Sequence, residues 1–515
     1  MPSDREAAER RQPNTRRQRW LFRLAALGLG FSFLAGFEAL CALCGWGQPA
    51  VHDDPFVGFR SVRPLFVLNE DRTRYEIPRA RQKHFCAQSF LAEKPENEYR
   101  IFCLGGSTVQ GNPYLTETAF TTWLEISLQA ADSRRRWKVV NCGGISYASY
   151  RLTPILEEVL GYEPDLIILC TGHNEFLEDR KFEHIRDRGA FSNASIAAAS
   201  RLRTFTLMRE GYARLHGASS HAPPAGRPLL PAEVEALLDY RGGLEEYRRD
   251  DSWRRNVIRQ FRFNLQRMAE LARDAGVAFT LVNPACNIGA MPPFKAEHRP
   301  DLSAQELAKW EALFEAARGH FRRGSYNLHA AIAELEQACE IDPLHAGGWY
   351  TLAECYRSVG RMEQAREAYL RAKELDVCPL RILQPMNEAI LDVARETQAP
   401  LVDVQALFEH NGKHGIVGGD QMADHVHPTI EGHQRIADAL ADKLVELGIV
   451  RPAPDWQEKK RKLFQQQFDS LDDYYYLQGE QRLKSLRLWA QGRAEAVRPE
   501  LHGAKTPRRQ AKQPR

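Results

Sequence analysis

Five short segments that are apolar along nearly their whole length constrain the fold of this chain most strongly. Helical patterns lie between some of them, over Thr118–Ala131 and Asn256–Ala275. Strands that are apolar on both sides are typical of a parallel sheet covered by helices on both faces. We therefore predict a doubly wound α/β domain with a five-stranded parallel sheet, whose functional groups lie at the carboxyl ends of the strands. The five segments are Arg100–Leu104, Lys138–Asn141, Asp165–Cys170, Val277–Asn283 and Pro400–Val404.

A long helical stretch, residues 303–376, interrupts this pattern between the fourth and fifth strands. Its second half matches the 34-residue tetratricopeptide pattern, and a poorer copy precedes it. Two repeats are too few for a free-standing solenoid, so we expect an all-α insertion that packs on the α/β domain. The alternative is an ordinary helical hairpin. The matching positions are Trp349, Leu352, Ala353, Tyr356, Gly360, Ala365, Tyr369 and Ala372, preceded by Gly324, Ala331, Leu335, Ala338 and Pro343.

The segment Leu21–Trp46 is apolar and long enough to cross a bilayer as a helix. Arginines crowd the sequence before it, and Asp53 and Asp54 follow it. The positive-inside rule then predicts a single-pass anchor with a cytoplasmic N-terminus and a periplasmic or cell-surface remainder. A cleaved signal peptide is the alternative, although no A-x-A site follows. Glu38, inside the segment, marks a contact with another helix or a function, or else it reaches toward the outer interface.

The net charge of +3 is small, and basic residues concentrate at the two ends of the chain. This distribution favours a topology signal in front and a solvated tail behind, not a nucleic-acid site. Ten cysteines are present without the spacing of a disulfide framework or a zinc site. Cys103, Cys142 and Cys170 lie in or beside apolar strands and are expected to be buried. We predict no cofactor and no metal.

Two glycine-containing turns follow the first two strands. In Leu104–Val109 (LGGSTV) the glycines allow a tight turn that exposes the hydroxyl of Ser107 at a helix N-terminus, where negative charge is favoured. Taken alone, such a serine is more often a helix cap. In Asn141–Gly144 (NCGG), Gly143 allows backbone N–H groups to approach a ligand without a side chain in the way.

Two polar motifs follow later strands. Asn174, in GHNE after the third strand, can donate its side-chain amide to a developing oxyanion, although an Asx turn is the simpler interpretation. In DHVHP, Asp424 precedes His427 by three residues, so the carboxylate can orient the imidazole as a general base. A surface turn, or a metal pair of His425 and His427, are the alternatives; no third and fourth ligands are apparent.

In this order the four motifs resemble the consensus blocks of the SGNH (GDSL-like) hydrolases, over about residues 98–180, 275–290 and 398–450. Gly106 and Glu175 stand where the family more often has Asp. The resemblance implies a serine esterase with Ser107 as nucleophile and His427 as base, oriented by Asp424. It also implies an oxyanion hole formed by the backbone N–H groups of Ser107 and Gly143 and the side chain of Asn174. Asn287, in the loop after the fourth strand, is a candidate substrate-binding residue.

We therefore expect a membrane-anchored esterase that acts on an ester such as an O-acyl group on a carbohydrate or surface polymer. The alternatives are a polysaccharide O-acyltransferase and an inactive scaffold that binds a protein partner through its repeats. A loop over Gly217–Pro231 and one long C-terminal helix over Trp456–Arg493, with three consecutive tyrosines from Tyr474, remain without a function. The predicted regions are a basic cytoplasmic segment (1–20), the anchor (21–46), a β-rich or irregular lead-in (47–98), the SGNH domain (99–302 and 377–450), the repeats (303–376) and the C-terminal helix and tail (451–515).

Overall fold

The structure is a computed structural model that describes residues 16–44, 46, 54, 56–59, 61–178, 202–205, 207–208, 211, 229–239, 243–322 and 327–493. The chain divides into two compact units, residues 1–58 with 181–230 and residues 59–180 with 231–515. Most of the loop expected over Gly217–Pro231, and the basic tail from Lys505, fall outside the described residues.

The first unit contains the helix Arg16–Cys44, of which Arg23–Cys44 is long and apolar enough to cross a membrane. Several of its described apolar side chains are exposed; Phe33, for example, is 77% exposed. The carboxylate of Glu38 accepts hydrogen bonds from the backbone N–H groups of Arg203 (2.6 Å) and Thr204 (2.9 Å) and from the Thr204 hydroxyl. Of the two interpretations of Glu38, contact with another segment matches the structure.

The elements run in chain order as follows. The strands are β1 (Gly58–Phe59), β2 (Val67–Leu68), β3 (Arg74–Glu76), β4 (Ser89–Leu91), β5 (Glu98–Gly105), β6 (Arg136–Gly143), β7 (Leu166–Cys170), β8 (Leu229–Leu230), β9 (Ala278–Asn283) and β10 (Leu401–Asp403). The helices are α1 (Arg16–Cys44), α2 (Ser107–Gln110), α3 (Phe120–Ala131), α4 (Ser149–Val159), α5 (Gly243–Glu246), α6 (Asp251–Asp274), α7 (Ala304–Arg322), α8 (Leu328–Ile341), α9 (Ala346–Ser358), α10 (Met362–Glu374), α11 (Gln384–Thr397), α12 (Val404–Asn411), α13 (Ile430–Glu446), α14 (Trp456–Asp469) and α15 (Asp473–Arg493). Single 3-10 turns cover Arg79–Arg81, Thr116–Thr118, Leu160–Tyr162 and Leu237–Asp239.

The second unit is built on a five-stranded parallel sheet in the order β10-β9-β7-β5-β6, which confirms the predicted sheet. Gly105, the last residue of β5, pairs with Cys170 on one side and with Gly143 on the other. Because these three strands end at the same level, the segments that follow them emerge side by side. This register brings three of the four sequence motifs to one edge of the sheet.

The strands β5, β6, β7 and β9 are buried along most of their length. Cys103, Cys142 and Cys170 are at most 5% exposed, as expected for small apolar residues in a core. Burial raises the pKa of the Cys170 thiol to about 12, so it stays protonated at neutral pH. All ten cysteines are free thiols.

The insertion consists of α7 to α10, and its helices pack through small residues such as Ala331, Ala353 and Ala365, each fully buried. Trp349, the first position of the well-matched repeat, is only partly buried. Its indole N–H donates to the Pro343 carbonyl at 3.0 Å, and the Arg371 guanidinium lies 4.1 Å from the ring centroid. The buried aromatic pair of this repeat is Tyr350 and Tyr369, whose ring centroids lie 5.4 Å apart.

The insertion also packs on the α/β domain, as its small size requires. Arg357 of α9 donates to the Gly289 carbonyl at 2.8 Å, and Arg366 of α10 lies 2.9 Å from the Glu409 carboxylate in α12. These contacts join the repeats to the loop after β9 and to helix α12, which follows β10.

The C-terminal helix expected over Trp456–Arg493 is two helices, α14 and α15, and the prediction of one helix is wrong. The chain turns at Ser470–Asp472, where the Asp472 carboxylate accepts a hydrogen bond from the Tyr475 N–H at 2.8 Å. An aspartate that caps free N–H groups starts a new helix instead of continuing the old one.

Candidate active site

Ser107 is the first residue of the short helix α2, directly after β5. The two glycines before it allow close packing. A Cβ at Gly105 would lie 2.1 Å from the Cys170 carbonyl oxygen, and one at Gly106 would lie 2.5 Å from the Asn174 amide nitrogen. Because Ser107 begins the helix, its own N–H has no acceptor within that helix. The turn therefore brings the hydroxyl and a free backbone donor to the same edge of the sheet.

The loop before α13 holds Asp424 and His427. Thr429 caps that helix by accepting a hydrogen bond from the Gly432 N–H at 3.0 Å. The Ala423 N–H donates to the His427 carbonyl at 2.7 Å, which closes the loop on itself. The Thr108 hydroxyl donates to the Val426 carbonyl at 3.2 Å, which joins this loop to α2.

A continuous series of hydrogen bonds connects Ser107, His427 and Asp424. The Ser107 Oγ lies 2.8 Å from the His427 Nε2, and the His427 Nδ1 lies 2.6 Å from the Asp424 Oδ2. The other carboxylate oxygen of Asp424 accepts the N–H groups of Val426 and His427, both at 2.9 Å. The Asp424 and His427 side chains are almost completely buried, at 1% and 5% exposure. The sequence separation of the serine and the histidine, 320 positions, shows that the fold alone brings them together.

Burial raises the pKa of Asp424, but the neighbouring His427 and His425 and the hydrogen bonds it accepts outweigh this effect. The net result holds the pKa of that carboxyl well below its ordinary value. Asp424 is therefore ionised at neutral pH, and it can orient the imidazole of His427 and stabilise its protonated form.

Three further histidines near this edge are kept neutral. Burial lowers the pKa of His425 to about 4 and the pKa values of His173 and His433 to about 3. The Nδ1 of His173 accepts the Ile382 N–H at 3.2 Å, and the Nδ1 of His433 accepts the Phe120 N–H at 3.3 Å. The rings of His173 and His433 thus accept backbone hydrogen bonds in the core, whereas His425 lines the cavity. Among the described residues, no group of three or more His, Cys, Asp or Glu side chains is arranged to hold a metal ion.

Asn174 lies beside the serine. Its side-chain nitrogen donates one hydrogen bond to the Tyr147 carbonyl at 3.0 Å, which leaves the second amide hydrogen for another acceptor. Glu175, where the family more often has Asp, is fully buried. It accepts hydrogen bonds from the Ser149 N–H at 2.7 Å and the Ser149 hydroxyl at 3.0 Å. The longer carboxylate side chain thus binds the N-terminus of α4 and supports the backbone next to Asn174.

The backbone N–H of Gly143 is not free for the role in the oxyanion hole that the sequence resemblance implies. Its N–H donates to the Asn141 side-chain oxygen at 2.9 Å, and a Cβ at this position would lie 2.1 Å from the Gln110 nitrogen. This glycine therefore allows α2 to pack on β6, and its donor is already used. Ser146 lines the cavity instead, with a φ of 64° in the left-handed region, and its N–H has no acceptor among the described residues. A serine in that backbone conformation has no signature in the sequence.

Asn287 lies behind the site. Its amide nitrogen donates to the Asp424 carbonyl at 3.0 Å, its backbone N–H donates to the His425 carbonyl at 3.0 Å, and it is 3% exposed. These contacts hold the loop that carries Asp424 and His427. The residue is outside the cavity lining, so the geometry indicates a positioning role and not contact with a substrate.

A cavity of about 690 Å³ opens in front of Ser107 and His427. Its lining divides into a strand-end wall, a patch of aliphatic side chains and a wall from the C-terminal helix α15. The strand-end wall comprises Ser107, Asn112, Ile145, Ser146, Asn174, His425, Val426 and His427; the aliphatic patch comprises Leu177, Ala236, Leu238 and Leu380; and the α15 wall comprises Gln478, Gln481, Arg482, Ser485 and Leu486.

The family model for the tetratricopeptide repeat matches residues 323–377, which include α8 to α10. No curated protein sequence matches the chain.

Several solved structures match the chain with low scores and low identity. A lipolytic protein of the G-D-S-L family from Desulfitobacterium hafniense DCB-2 is 11% identical, with a TM-score of 0.29 and coverage of 67% of this chain and 99% of that one. The acetylxylan esterase Axe2 from Geobacillus stearothermophilus is 12% identical, with a TM-score of 0.30 and coverage of 67% and 94%. A lipase/acylhydrolase from Enterococcus faecalis is 10% identical, with a TM-score of 0.30 and coverage of 69% and 98%. The chain is thus similar to GDSL-type esterases and lipases, and it contains a tetratricopeptide repeat.

Proposed function

We propose that this protein is a membrane-anchored serine esterase of the SGNH type. One observation carries the proposal: Ser107, His427 and Asp424 form a continuous hydrogen-bonded series at the mouth of a cavity large enough for an organic ester. A serine hydroxyl bonded to an imidazole that is itself bonded to a buried carboxylate is the arrangement that activates serine for acyl transfer.

In the first step, the Ser107 Oγ attacks the ester carbonyl carbon while the His427 Nε2 takes its proton. The ionised Asp424 stabilises the resulting imidazolium and does not take the proton itself. The tetrahedral intermediate collapses, His427 protonates the departing alcohol oxygen, and the acyl group remains bonded to Ser107. Water then attacks the acyl carbon with His427 as base, which releases the carboxylic acid and restores the serine.

The negative charge on the carbonyl oxygen needs donors that are already in position. We assign this role to the backbone N–H groups of Ser107 and Ser146 and to the unused amide hydrogen of Asn174. Ser146 takes the place that the sequence resemblance gave to Gly143. Its cavity-lining position and its free N–H support this assignment, whereas the Gly143 N–H is bonded to Asn141.

The aliphatic patch of the cavity suits the acyl part of the ester. Leu177, Ala236, Leu238 and Leu380 are all at most 7% exposed and pack in one cluster. A preformed apolar surface of this kind stabilises a bound acyl group by removing it from water.

The direct test is cleavage of p-nitrophenyl acetate by the full-length protein in detergent, together with labelling by a fluorophosphonate. We expect hydrolysis and labelling of Ser107, identified by mass spectrometry of the labelled peptide. Pretreatment with the fluorophosphonate should abolish hydrolysis. A folded protein that neither cleaves the ester nor reacts with the probe contradicts the proposal and favours an interaction scaffold.

We also propose that Arg23–Cys44 anchors the protein and that the esterase domain lies outside the cytoplasm. The length and apolar composition of this helix support the anchor, and the arginines before it support the orientation. An alkaline phosphatase fused after residue 515 should be active. A cytoplasmic reporter that folds normally at the same position would contradict the orientation.

The doubly wound arrangement is part of the same proposal, with the SGNH domain over residues 99–302 and 377–450. Two sets of helices support it: α3 packs with α13 and α14, and α4 packs with α6, which in turn contacts α11. Separate sets of this kind are expected when helices cover both faces of a parallel sheet.

A further inference from the structure

The C-terminal helix α15 forms one wall of the cavity, although it follows the last strand of the sheet by about seventy residues. Its cavity-lining residues are Gln478, Gln481, Arg482, Ser485 and Leu486. Their spacing of three, four, seven and eight positions places them on one face of a helix. One face of α15, between Gln478 and Leu486, therefore borders the cavity in front of Ser107.

This helix is docked at both catalytic loops. A Cβ at Gly479 would lie 2.1 Å from the ring of Tyr114, so the absence of a side chain allows the helix to lie directly on that ring. Arg482 donates to the Pro113 carbonyl at 2.6 Å, in the loop that follows Ser107. Arg487 donates to the Ala423 carbonyl at 2.9 Å, next to Asp424. The helix thus spans from the serine loop to the histidine loop.

The preceding helix α14 holds the base of α15 in place. The rings of Phe464 and Phe468 lie 4.6 Å and 5.0 Å from the ring of Trp123, which is fully buried in α3. Tyr475, in the run of three tyrosines, shares a hydrogen bond of 2.9 Å with the Thr118 hydroxyl. The hydrogen bond to Thr118 gives Tyr475 a structural role in holding the start of α15.

The chemistry of the α15 wall differs from that of the aliphatic patch. It presents two carboxamides, a hydroxyl and a guanidinium, and no carboxylate is among the described residues that line the cavity. The side chains of Gln478 and Gln481 have no hydrogen-bond partner among the described residues, so their donors and acceptors are available to a bound molecule. Carboxamides both donate and accept, which suits a partner with several hydroxyl groups.

We infer that α15 is the binding wall for the alcohol part of the ester and that this alcohol is a carbohydrate. The inference rests on the proposed esterase function. The acyl group lies against the aliphatic patch, the ester carbonyl lies at Ser107, and the sugar hydroxyls bond to Gln478 and Gln481. A neutral or anionic sugar fits this wall, because Arg482 is the charged side chain on it.

The test compares two acetate esters that differ only in the alcohol: methyl 6-O-acetylglucoside and p-nitrophenyl acetate. The variant is Gln478→Ala combined with Gln481→Ala in the full-length protein. Gln457→Ala is the matched control, because Gln457 is exposed on α14 and lies outside the cavity lining. We expect the ratio of kcat/KM for the glucoside ester to that for p-nitrophenyl acetate to fall by about tenfold in the double variant, as the loss of two hydrogen bonds implies. The ratio should stay unchanged in Gln457→Ala.

An unchanged ratio in the double variant would overturn the inference, and so would a wild-type protein that cleaves p-nitrophenyl acetate but not the glucoside ester. Labelling of Ser107 by a fluorophosphonate without cleavage of the glucoside ester would overturn it as well. Failure of the esterase function itself has a different signature: neither ester is cleaved and the probe does not react.

Discussion

The strand-end wall and the α15 wall of the cavity are held by different kinds of contact. On the strand-end wall, Asp424 and His427 are almost completely buried, and both ring nitrogens of His427 are in hydrogen bonds. On the α15 wall, Gln481 and Ser485 are exposed, and the helix is held by a few side-chain contacts to loops. Groups that react must be fixed within fractions of an ångström, whereas groups that select a substrate can tolerate more freedom.

Under the proposed function, this difference gives chemistry and selectivity separate structural origins. Changes in the buried wall should remove activity or stability, whereas changes in the α15 wall should alter which ester is preferred.

Replacement of Ser107 by alanine should have the largest effect. Without the nucleophile the acyl-enzyme cannot form, and kcat for p-nitrophenyl acetate should fall on the order of 10⁶-fold, as in other serine triads. Steady-state kinetics and the melting temperature together check this expectation. Ser358→Ala, an exposed serine on α9, should keep full activity; a Ser107→Ala protein that retains hydrolysis would show that another group is the nucleophile.

Acid should destabilise the second unit because of its neutral buried histidines. His173, His425 and His433 have pKa values lowered by burial to between about 3 and 4 in the folded protein. The unfolded chain, with histidine pKa values of about 6.5, binds more protons below that pH, so the free energy of unfolding should decrease as pH falls from about 6.5 to about 4. Each histidine contributes roughly 1.4 kcal/mol per pH unit in this window.

Urea unfolding at pH 7, 6 and 5 measures this slope. The variant His433→Gln should have a smaller slope than the wild type, whatever its absolute stability. Equal stability of the wild type at pH 7 and pH 5 would contradict the prediction and would mean that these rings are protonated in the folded state.

Replacement of Asn174 by alanine tests the oxyanion donors in the same wall. Loss of one such donor should reduce kcat by roughly 10²–10³, with a smaller change in KM, because the donor acts mainly in the transition state. Asn97→Ala, at an exposed position before β5, serves as the control and should behave like the wild type. A rise in KM alone, with kcat intact, would assign Asn174 to substrate binding instead.

Gly479→Leu should give the smallest effect and should be confined to α15. The added side chain would clash with the Tyr114 ring, at a cost of about 1–3 kcal/mol. Hydrogen exchange of the α15 amides should become faster, while exchange in the central sheet should stay slow. The double variant with Tyr114→Ala should restore protection, because it removes the ring that clashes. Unchanged exchange in Gly479→Leu would show that α15 is not held by this contact.

The sequence by itself determined the five-stranded parallel sheet, because strands buried on both faces need uninterrupted apolar residues, and this pattern is local. It also determined four candidate site residues, because each of their motifs follows a recognisable strand or precedes a helix. These residues are Ser107, Asn174, Asp424 and His427. The register of β5, β6 and β7 then brought Ser107 and Asn174 to the same edge of the sheet. The loop before α13 supplied Asp424 and His427.

Only the tertiary structure decided which backbone N–H groups are free and what covers the cavity. Gly143 looks like an open donor in the sequence, but a hydrogen bond to Asn141 uses its N–H, while Ser146 adopts a positive φ that serine rarely takes. Similarly, the tyrosine-rich α15 has no pattern that predicts its place over Ser107. The physical reason is that apolar periodicity depends on neighbours in the chain, whereas the direction of an N–H and the docking of a distant helix depend on contacts between segments hundreds of residues apart.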